Sequence, residues 1–426
     1  MAPWRKTFYA AWLGQVCSIT GFWFVMPLLP LYVEALHPQM SDAQLAVWAG
    51  WVRAAAALTM AISAPIWGFV ADRYGRKPMV LRAMLGGVVV LVLMAFAQNV
   101  TQLIVLRMLQ GCLTGTVTAS VALVSSVTPR ERSGRTLGMM SGAVFFGTCI
   151  GPFLGGEIAE AYGFLPTFLT AAGVVLAGGL LVGFFADERF EPPPPSKNTH
   201  FATVGEILGT AGFAAAIFAL FLVRFGNSSF QPIFPYILRD VLGTEEGVKA
   251  LTGRIIGVAG IAAALSAGLL GRLSDHWGHR RLLIGSVFFA GVTTLFLALA
   301  RTIPQFYMLR ALYGFAAAGI MPSANAIIRH IIHEKHLGKA YGLLASIRGL
   351  GWGLGSISGG YLAAGLGLRA PFVFTGVVLF LAAGLVIWRV HPHISGAEEP
   401  EEQEEAEEPD VEPVAVPNAP DPTTSD

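Results

Sequence analysis

The chain has 426 residues, of which 54% are hydrophobic and only 13% are charged. Soluble proteins carry about 25% charged residues, so this composition excludes an ordinary soluble domain and indicates an integral membrane protein. The net charge of +1 hides an uneven distribution, because the stretch 396–426 holds twelve acids and no Lys or Arg. This tail is rich in Pro and Glu and poor in large apolar residues, so we predict that residues 392–426 are disordered.

Twelve apolar segments follow one another along the chain, each long enough to cross a bilayer, which needs about 20 residues. The predicted segments are 8–33, 46–71, 80–98, 102–127, 136–161, 165–186, 207–238, 247–272, 282–300, 304–328, 340–364 and 369–390. A charged, proline-rich stretch separates the sixth from the seventh. We therefore predict an all-α integral membrane fold of twelve transmembrane helices. It forms two six-helix bundles, residues 1–186 and 207–391, joined by a cytoplasmic linker over residues 187–206.

Lys and Arg collect on one side of the predicted membrane. With the N-terminus placed in the cytoplasm, 18 of them lie on the cytoplasmic side, 4 lie outside, and 6 fall within segments. Cytoplasmic loops are enriched in Lys and Arg. This distribution predicts a multi-pass protein of the cell membrane with both termini in the cytoplasm.

The two halves of the chain repeat one another. "GFVADRYGRKP" at 68–78 returns as "GRLSDHWGHRR" at 271–281, which places Asp72 and Asp275 203 residues apart. Gly111 and Gly314 have the same separation. Parallel repeats of this kind are typical of transporters that bind substrate where the halves meet. The bundles are therefore predicted to be pseudo-symmetric.

Three stretches resemble motifs of the Major Facilitator Superfamily. "GFVADRYGRKP" resembles its signature loop, "RMLQGCLTG" at 107–115 its second motif, and "GTCIGPFLGG" at 147–156 the motif of its drug:proton antiporters. The matching positions are Gly68, Asp72, Arg73, Gly75, Arg76 and Lys77 in the loop, Arg107 and Gln110 in the fourth segment, and Gly147, Gly151, Pro152, Gly155 and Gly156 in the fifth. The resemblance is greatest to bacterial multidrug efflux proteins. It implies alternating access, export driven by a proton gradient without a cofactor, and the bacterial inner membrane.

The signature loop has a physical interpretation of its own. Gly75 is predicted to take a positive φ in a tight turn. Asp72 lies where the second segment leaves the membrane, and an acid there pairs with cations or with the N-terminus of a neighbouring helix. We interpret the loop as a latch that holds the cytoplasmic ends of the halves together in one state. The alternative is that its cations only fix the topology.

The fourth segment carries polar residues that are candidates for coupling transport to proton movement. Arg107, Gln110, Thr114 and Thr118 recur at helical spacing, so they are predicted to share one helix face. An Arg inside a membrane segment is costly, which favours a functional role. The resemblance ties Arg107 to proton coupling; the alternative is a packing role near the outer interface.

The fifth segment is rich in glycine. Gly138, Gly142, Gly147, Gly151 and Gly155 are spaced as small residues are where helices approach closely. Close packing is therefore predicted along this segment, with a kink at Pro152. A role of the motif in the direction of export is implied by the resemblance alone.

The seventh segment carries the stripe Arg224, Asn227, Ser228 and Gln231, and prolines at 232 and 235 are predicted to break the helix just after it. The resemblance places segments 1, 4, 7 and 10 around the substrate cavity. The predicted cavity residues are Gln15, Trp23, Thr114, Arg224, Asn227, Ser228, Gln231, Arg348 and Trp352. The alternative is that the polar stripes only join helices.

The chain departs from many drug antiporters in one respect. Its first segment has no acid before Glu34, and the only acids well inside predicted segments are Glu157 and Glu160. These two are therefore our proton-coupling candidates beside Arg107 and Gln110. Arg224 and Arg348 have no evident acidic partner. This favours anionic, zwitterionic or neutral amphipathic substrates over lipophilic cations.

The leading hypothesis is a secondary exporter of small amphipathic molecules, acting as a monomer in the lipid bilayer. One alternative is an uptake permease for an anionic or zwitterionic metabolite. Another is a non-transporting sensor or scaffold that signals through the acidic tail. The sequence has no phosphate-binding loop, zinc pattern or nucleophile elbow, so we predict neither an enzyme, a metal site nor a nucleic-acid partner.

Overall fold

The structure is a computed structural model that describes residues 3–188, 190, 212–331 and 337–389. Its sixteen α-helices are α1 (Pro3–Val25), α2 (Leu29–Leu36), α3 (Asp42–Tyr74), α4 (Arg76–Ala95), α5 (Val100–Leu113), α6 (Thr116–Val127), α7 (Ser133–Tyr162), α8 (Phe164–Phe185), α9 (Phe213–Phe230), α10 (Phe234–Leu242), α11 (Val248–Trp277), α12 (His279–Leu299), α13 (Ile303–Ala317), α14 (Ile320–Ile331), α15 (Leu337–Leu366) and α16 (Ala370–Arg389). The described residues contain no strand. Most of the predicted linker 187–206 and the whole tail 392–426 lie outside them.

The helices group into membrane crossings. Four crossings consist of two helices in line: α1 with α2, α5 with α6, α9 with α10, and α13 with α14. Within the described residues, eleven single or paired helices are long and apolar enough to cross a membrane. The 30 residues of α15 supply a twelfth. The predicted all-α membrane fold is confirmed.

Proline and glycine determine where the paired helices break. α9 ends at Phe230 and α10 begins at Phe234, with Pro232 between them, which confirms the predicted break. α5 ends at Leu113, and Gly115 then takes a φ of +126°. The predicted single helix face through Arg107 and Thr118 is therefore wrong, because the helix is interrupted between them.

The internal repeat is also visible in the backbone. Gly75 ends α3 and precedes α4 with a φ of +94°, as predicted from the sequence. Gly278 does the same between α11 and α12 with a φ of +87°. Positive φ is nearly free of strain only for glycine, which explains a glycine at both turns.

The buried apolar side chains form separate clusters in the two halves. The largest cluster lies among α1 to α8 and takes in only Tyr236 and Val248 from the second half. Three further clusters lie among α9 to α16, and one small cluster joins Ala46 to Ile233 and Ala363 across the halves. The halves meet chiefly along two helix pairs, α3 with α15 and α7 with α11.

Candidate functional site

The two contacts between the halves are built on glycine. At the α7–α11 contact, a Cβ on Gly253 would lie 2.1 Å from the Pro152 carbonyl oxygen. At the α3–α15 contact, a Cβ on Gly50 would lie 2.6 Å from the Ser356 carbonyl oxygen, and one on Gly360 2.6 Å from that of Ala46. Backbone touches backbone at these points, so no larger residue fits without separating the halves.

Towards their other ends, the described residues of the same four helices show no such backbone contact at glycine. A Cβ on any of six glycines there would meet no described heavy atom within 4 Å; these glycines are Gly68, Gly138, Gly142, Gly268, Gly271 and Gly342. The close contacts all lie towards the end that holds residues 37–41 and 243–247, which we name the predicted external end. The halves therefore meet at the predicted external end and diverge towards the opposite, predicted cytoplasmic end.

The glycine-rich fifth segment is thus only partly packed. The prediction of close packing is wrong for Gly138 and Gly142, because the helices diverge at that level. It is right further along α7, where Cβ atoms on three glycines would clash with α1: Gly147 with Ile19, Gly151 with Trp23, and Gly155 with Phe24. Gly156 and Pro152 instead face α11. The predicted antiporter motif therefore joins α7 to α1 on one side and to the other half on the other.

Charged contacts reinforce the closed external end. The Arg239 guanidinium donates to Glu34 and, at 2.8 Å, to Asp42, both in the first half. The Tyr236 hydroxyl donates to the Pro30 carbonyl oxygen at 2.7 Å. These bonds tie α10 to α2 and to the start of α3.

Two predicted proton-coupling residues also lie in this contact. The Glu160 carboxylate accepts the backbone N–H groups of Gly247 at 2.9 Å and Lys249 at 3.1 Å, at the start of α11. An anion is favoured at a helix N-terminus. Glu157 accepts from the Arg254 guanidinium at 2.9 Å. Both glutamates are thus bonded across the halves, as acceptors that hold the external end closed.

The signature loop lies at the opposite end. The side chains of Asp72 and of residues 337–341 lie outside those that the structure describes, so the latch stays a prediction. Gly75 supplies no side chain to cap α4, and Glu188 does so instead. Its carboxylate accepts the backbone N–H groups of Arg76 at 2.8 Å and Lys77 at 2.7 Å. Arg73 stacks on the Tyr74 ring, 5.7 Å from its centroid.

Glu188 was not among the residues predicted from the sequence. The signal was present, since it is an acid that directly follows the sixth segment. What was absent was any indication that this residue folds back over 111 positions onto the N-terminus of α4.

Arg107 and Gln110 lie together in the interior of the first half. Arg107 is 3% exposed, and its Nε donates to the Val52 carbonyl oxygen at 3.1 Å. Its Nη1 donates to the Gln110 side chain. Thr114 bonds back to the Gln110 carbonyl oxygen at 2.7 Å at the end of α5.

Arg53 of α3 is a second buried cation, and it was not among the residues predicted from the sequence. It is 3% exposed and donates to the Met26 carbonyl oxygen at 3.3 Å and to the Gln231 side chain. Gln231 belongs to the second half, so this bond crosses between the halves. An Arg inside a predicted segment was the signal that could have found it.

The predicted cavity residues fall into two groups. Arg224 lies over the Trp352 ring, 4.9 Å from its centroid, and Gln231 donates to Asn227 at 3.4 Å. These four side chains, together with Arg348, are partly exposed.

The second group is buried in helix packing. Gln15 and Ser228 have no exposed surface, and their side-chain polar atoms have no hydrogen-bond partner among the described residues. Trp23 lies half-buried against Gly151. In this conformation Gln15 and Ser228 do not face the opening.

Arg310 is the counterpart of Arg107 in the second half, 203 residues along the chain. It is 7% exposed and lies among three aromatic rings, with centroids of Phe230, Phe234 and Tyr313 at 5.4, 5.0 and 5.3 Å. Cations are attracted to ring faces within about 6 Å. The 203-residue repeat relates Arg310 to Arg107, but it gives no indication of the aromatic surroundings.

Comparisons with known proteins agree with this architecture. The family profile of the Major Facilitator Superfamily matches residues 11–219 and 216–420. The chain is 36% identical over 386 residues to the multidrug resistance protein MdtG of Citrobacter koseri, covering 89% of this chain and 94% of that protein. It is 35% identical over 383 residues to MdtG of Escherichia coli, covering 89% and 93%.

Solved structures share the fold at low sequence identity. A bacterial homologue of the human lysosomal transporter Spinster, crystallised in an inward-facing and occupied conformation, superposes with a TM-score of 0.76 at 16% identity, over 94% of this chain and 100% of that one. The human organic anion transporter TETRAN superposes with a TM-score of 0.68 at 18% identity, over 91% and 100%.

Proposed function

Because the chain belongs to the Major Facilitator Superfamily, we propose that it exports small amphipathic molecules by alternating access, driven by proton antiport. One observation carries this proposal. The halves are in backbone contact at the predicted external end and apart at the other, where six glycines of the same four helices have no described neighbour within contact distance. Substrate then enters from the cytoplasm, and a rocking of the halves exposes it to the outside.

The relatives support export of drugs in particular, since those that match over most of the chain are named multidrug resistance proteins. The partly exposed side chains of the predicted cavity fit amphipathic molecules. Arg224 and Gln231 offer polar groups, and Trp352 offers a ring. No observation on the described residues favours uptake or a scaffold role.

Glu157 and Glu160 are our candidates for proton binding, since Glu157 is the acid that lies deepest in a described helix, five residues before the end of α7 at Tyr162. Replacing both with Gln tests them. If proton-coupled flux persists in that variant, neither glutamate carries the proton.

Transport by everted membrane vesicles tests the proposed function. We expect a fluorescent amphipathic substrate to accumulate in everted vesicles when their interior is acidified, and the accumulation to collapse when a protonophore is added. Vesicles without the protein are the control. Accumulation only in right-side-out vesicles would instead establish an uptake permease, and no transport in either orientation would favour the scaffold.

A further inference from the structure

Buried cations follow one another through the middle of the molecule. Arg53 on α3 and Arg107 on α5 both donate to Met26, and Arg53 also donates to Gln231, which directly follows α9. Gln231 donates to Asn227 of α9, the helix that carries Arg224, and Arg224 lies over the ring of Trp352, one helical turn from Arg348 on α15. Arg53 and Arg107 are buried, whereas Arg224 and Arg348 are half-buried. The four arginines therefore extend from a partly exposed region between the halves into the closed interior.

These cations have neutral partners. Arg53 and Arg107 donate to backbone carbonyl oxygens and to the amides of Gln231 and Gln110, and Arg224 lies on the Trp352 ring. The ion pairs described in the structure lie away from these arginines, towards helix ends: Arg76 with Glu188, Arg239 with Glu34 and Asp42, and Arg254 with Glu157. Among the described residues, no acid compensates the central arginines.

Two donors in this region have no acceptor. The Arg53 Nε and the Trp352 Nε1 are buried and lack a hydrogen-bond partner among the residues that the structure describes. A buried donor without a partner, and a buried cation without a counter-charge, each cost free energy. Guanidinium groups match carboxylate, phosphonate and sulfonate groups, because their planar N–H groups donate to two oxygens at once. The missing component is an anion.

We propose that Arg53, Arg224 and Arg348 form an anion-binding subsite, and that the exported molecules are amphipaths with a carboxylate, phosphonate or sulfonate group. This inference rests on the proposed export function. Arg348 and Arg224, which are half-buried, receive the anionic group, and the Trp352 ring receives the apolar part. Arg53 is the deepest of the three. An anion that reaches it competes with Gln231 and so loosens a hydrogen bond between the halves.

Binding of three probes with one apolar body tests the subsite. The probes are phenylbutyrate, phenylbutylamine and phenylbutanol, titrated calorimetrically into the full-length protein in lipid nanodiscs. We expect phenylbutyrate to bind tightest. Arg224→Gln should weaken phenylbutyrate about tenfold or more, as the loss of a charge-assisted hydrogen bond requires. The same change should alter phenylbutanol less than about twofold, since the alcohol carries no charge.

Two variants separate charge from structure. Arg224→Lys keeps the positive charge but loses the planar guanidinium that donates to two oxygens at once. Its affinity for phenylbutyrate should therefore lie between those of the wild type and Arg224→Gln. Arg301→Gln, an exposed position before α13, should bind all three probes as wild type does. If Arg224→Gln has lost its thermal unfolding transition, Arg348→Gln takes its place in the same comparison.

The outcomes distinguish this inference from the proposed function. Equal binding of phenylbutylamine and phenylbutyrate, with no effect of Arg224→Gln, would overturn the subsite and leave export untouched. If chloride or phosphate displaces phenylbutyrate at equal affinity, the site holds an inorganic ion and the inference is wrong. Selective phenylbutyrate binding without flux in everted vesicles would support the subsite and contradict the export function.

Discussion

Replacing Gly253 by valine is expected to abolish export while leaving the protein inserted and folded. A Cβ at this position would lie 2.1 Å from the Pro152 carbonyl oxygen and 3.2 Å from the Gly156 Cα. Both neighbours are backbone atoms of α7, so neither can turn aside. The halves must separate at the predicted external end, which removes the closed state that alternating access needs.

The native Cys149 reports this separation. Its thiol is buried beneath α11, where a Cβ on Gly260 would lie 2.5 Å from its Sγ. With Cys17 and Cys112 replaced by serine, a membrane-impermeant thiol reagent should modify Cys149 about tenfold faster in Gly253→Val than in the parent, because protection follows the free energy of opening. Flux is measured on the same samples.

Two matched glycines serve as controls. A Cβ on Gly268, also on α11, would have no described heavy atom within 4 Å, so Gly268→Val should leave Cys149 protected. It should nevertheless slow export, because the diverged ends of the helices must meet in the opposite state. Gly173 on α8 is exposed and equally free of contacts, so Gly173→Val should export normally. Wild-type flux and Cys149 protection in Gly253→Val would contradict the assigned contact.

Combining Arg239→Ala with Glu160→Gln is expected to shift the protein towards an outward-open state and to slow export. Arg239 is 19% exposed and bonds to Glu34 and Asp42 in the other half. Glu160 accepts backbone N–H groups at the start of α11. A hydrogen bond to a charged group contributes about 1.5–3 kcal/mol when buried and less when exposed. Losing both sets of bonds should therefore change the ratio of the two states by about tenfold to a hundredfold.

The reactivity of Cys149 again measures the shift, and Glu246→Gln is the control. Glu246 is an exposed acid in the turn between α10 and α11, and its replacement removes the same charge without touching the other half. Each single variant should show a smaller increase in reactivity than the pair. Unchanged reactivity in the double variant would show that glycine packing alone keeps the external end closed.

Local features of the fold could be predicted from the sequence, because they depend on nearby residues. The turn at Gly75 and the helix break at Pro232 follow from the backbone preferences of glycine and proline. Contacts between distant parts of the chain could not be predicted from the sequence in this way. Gly142 and Gly151 have the same local pattern, yet only Gly151 is packed, because Gly151 lies against α1 whereas Gly142 lies at the level where α7 and α11 diverge.

The same limit explains the residues that were missed. The Arg53–Gln231 bond joins positions 178 residues apart, and the bond from Lys77 N–H to Glu188 spans 111. Neither pairing leaves a periodic signal. Helical spacing places Arg224, Ser228 and Gln231 on one face, but it gave no means to tell that Ser228 is buried.

Two distances in one protein test alternating access most directly. Spin labels at Tyr74 and Trp277, each 61% exposed, report the predicted cytoplasmic ends of α3 and α11. Labels at Gln39 and Glu246 report the predicted external end. During transport of an exported substrate, double electron–electron resonance should show the first distance shortening as the second lengthens. If both distances stay fixed, or both change in the same direction while substrate is exported, alternating access between these two ends is contradicted.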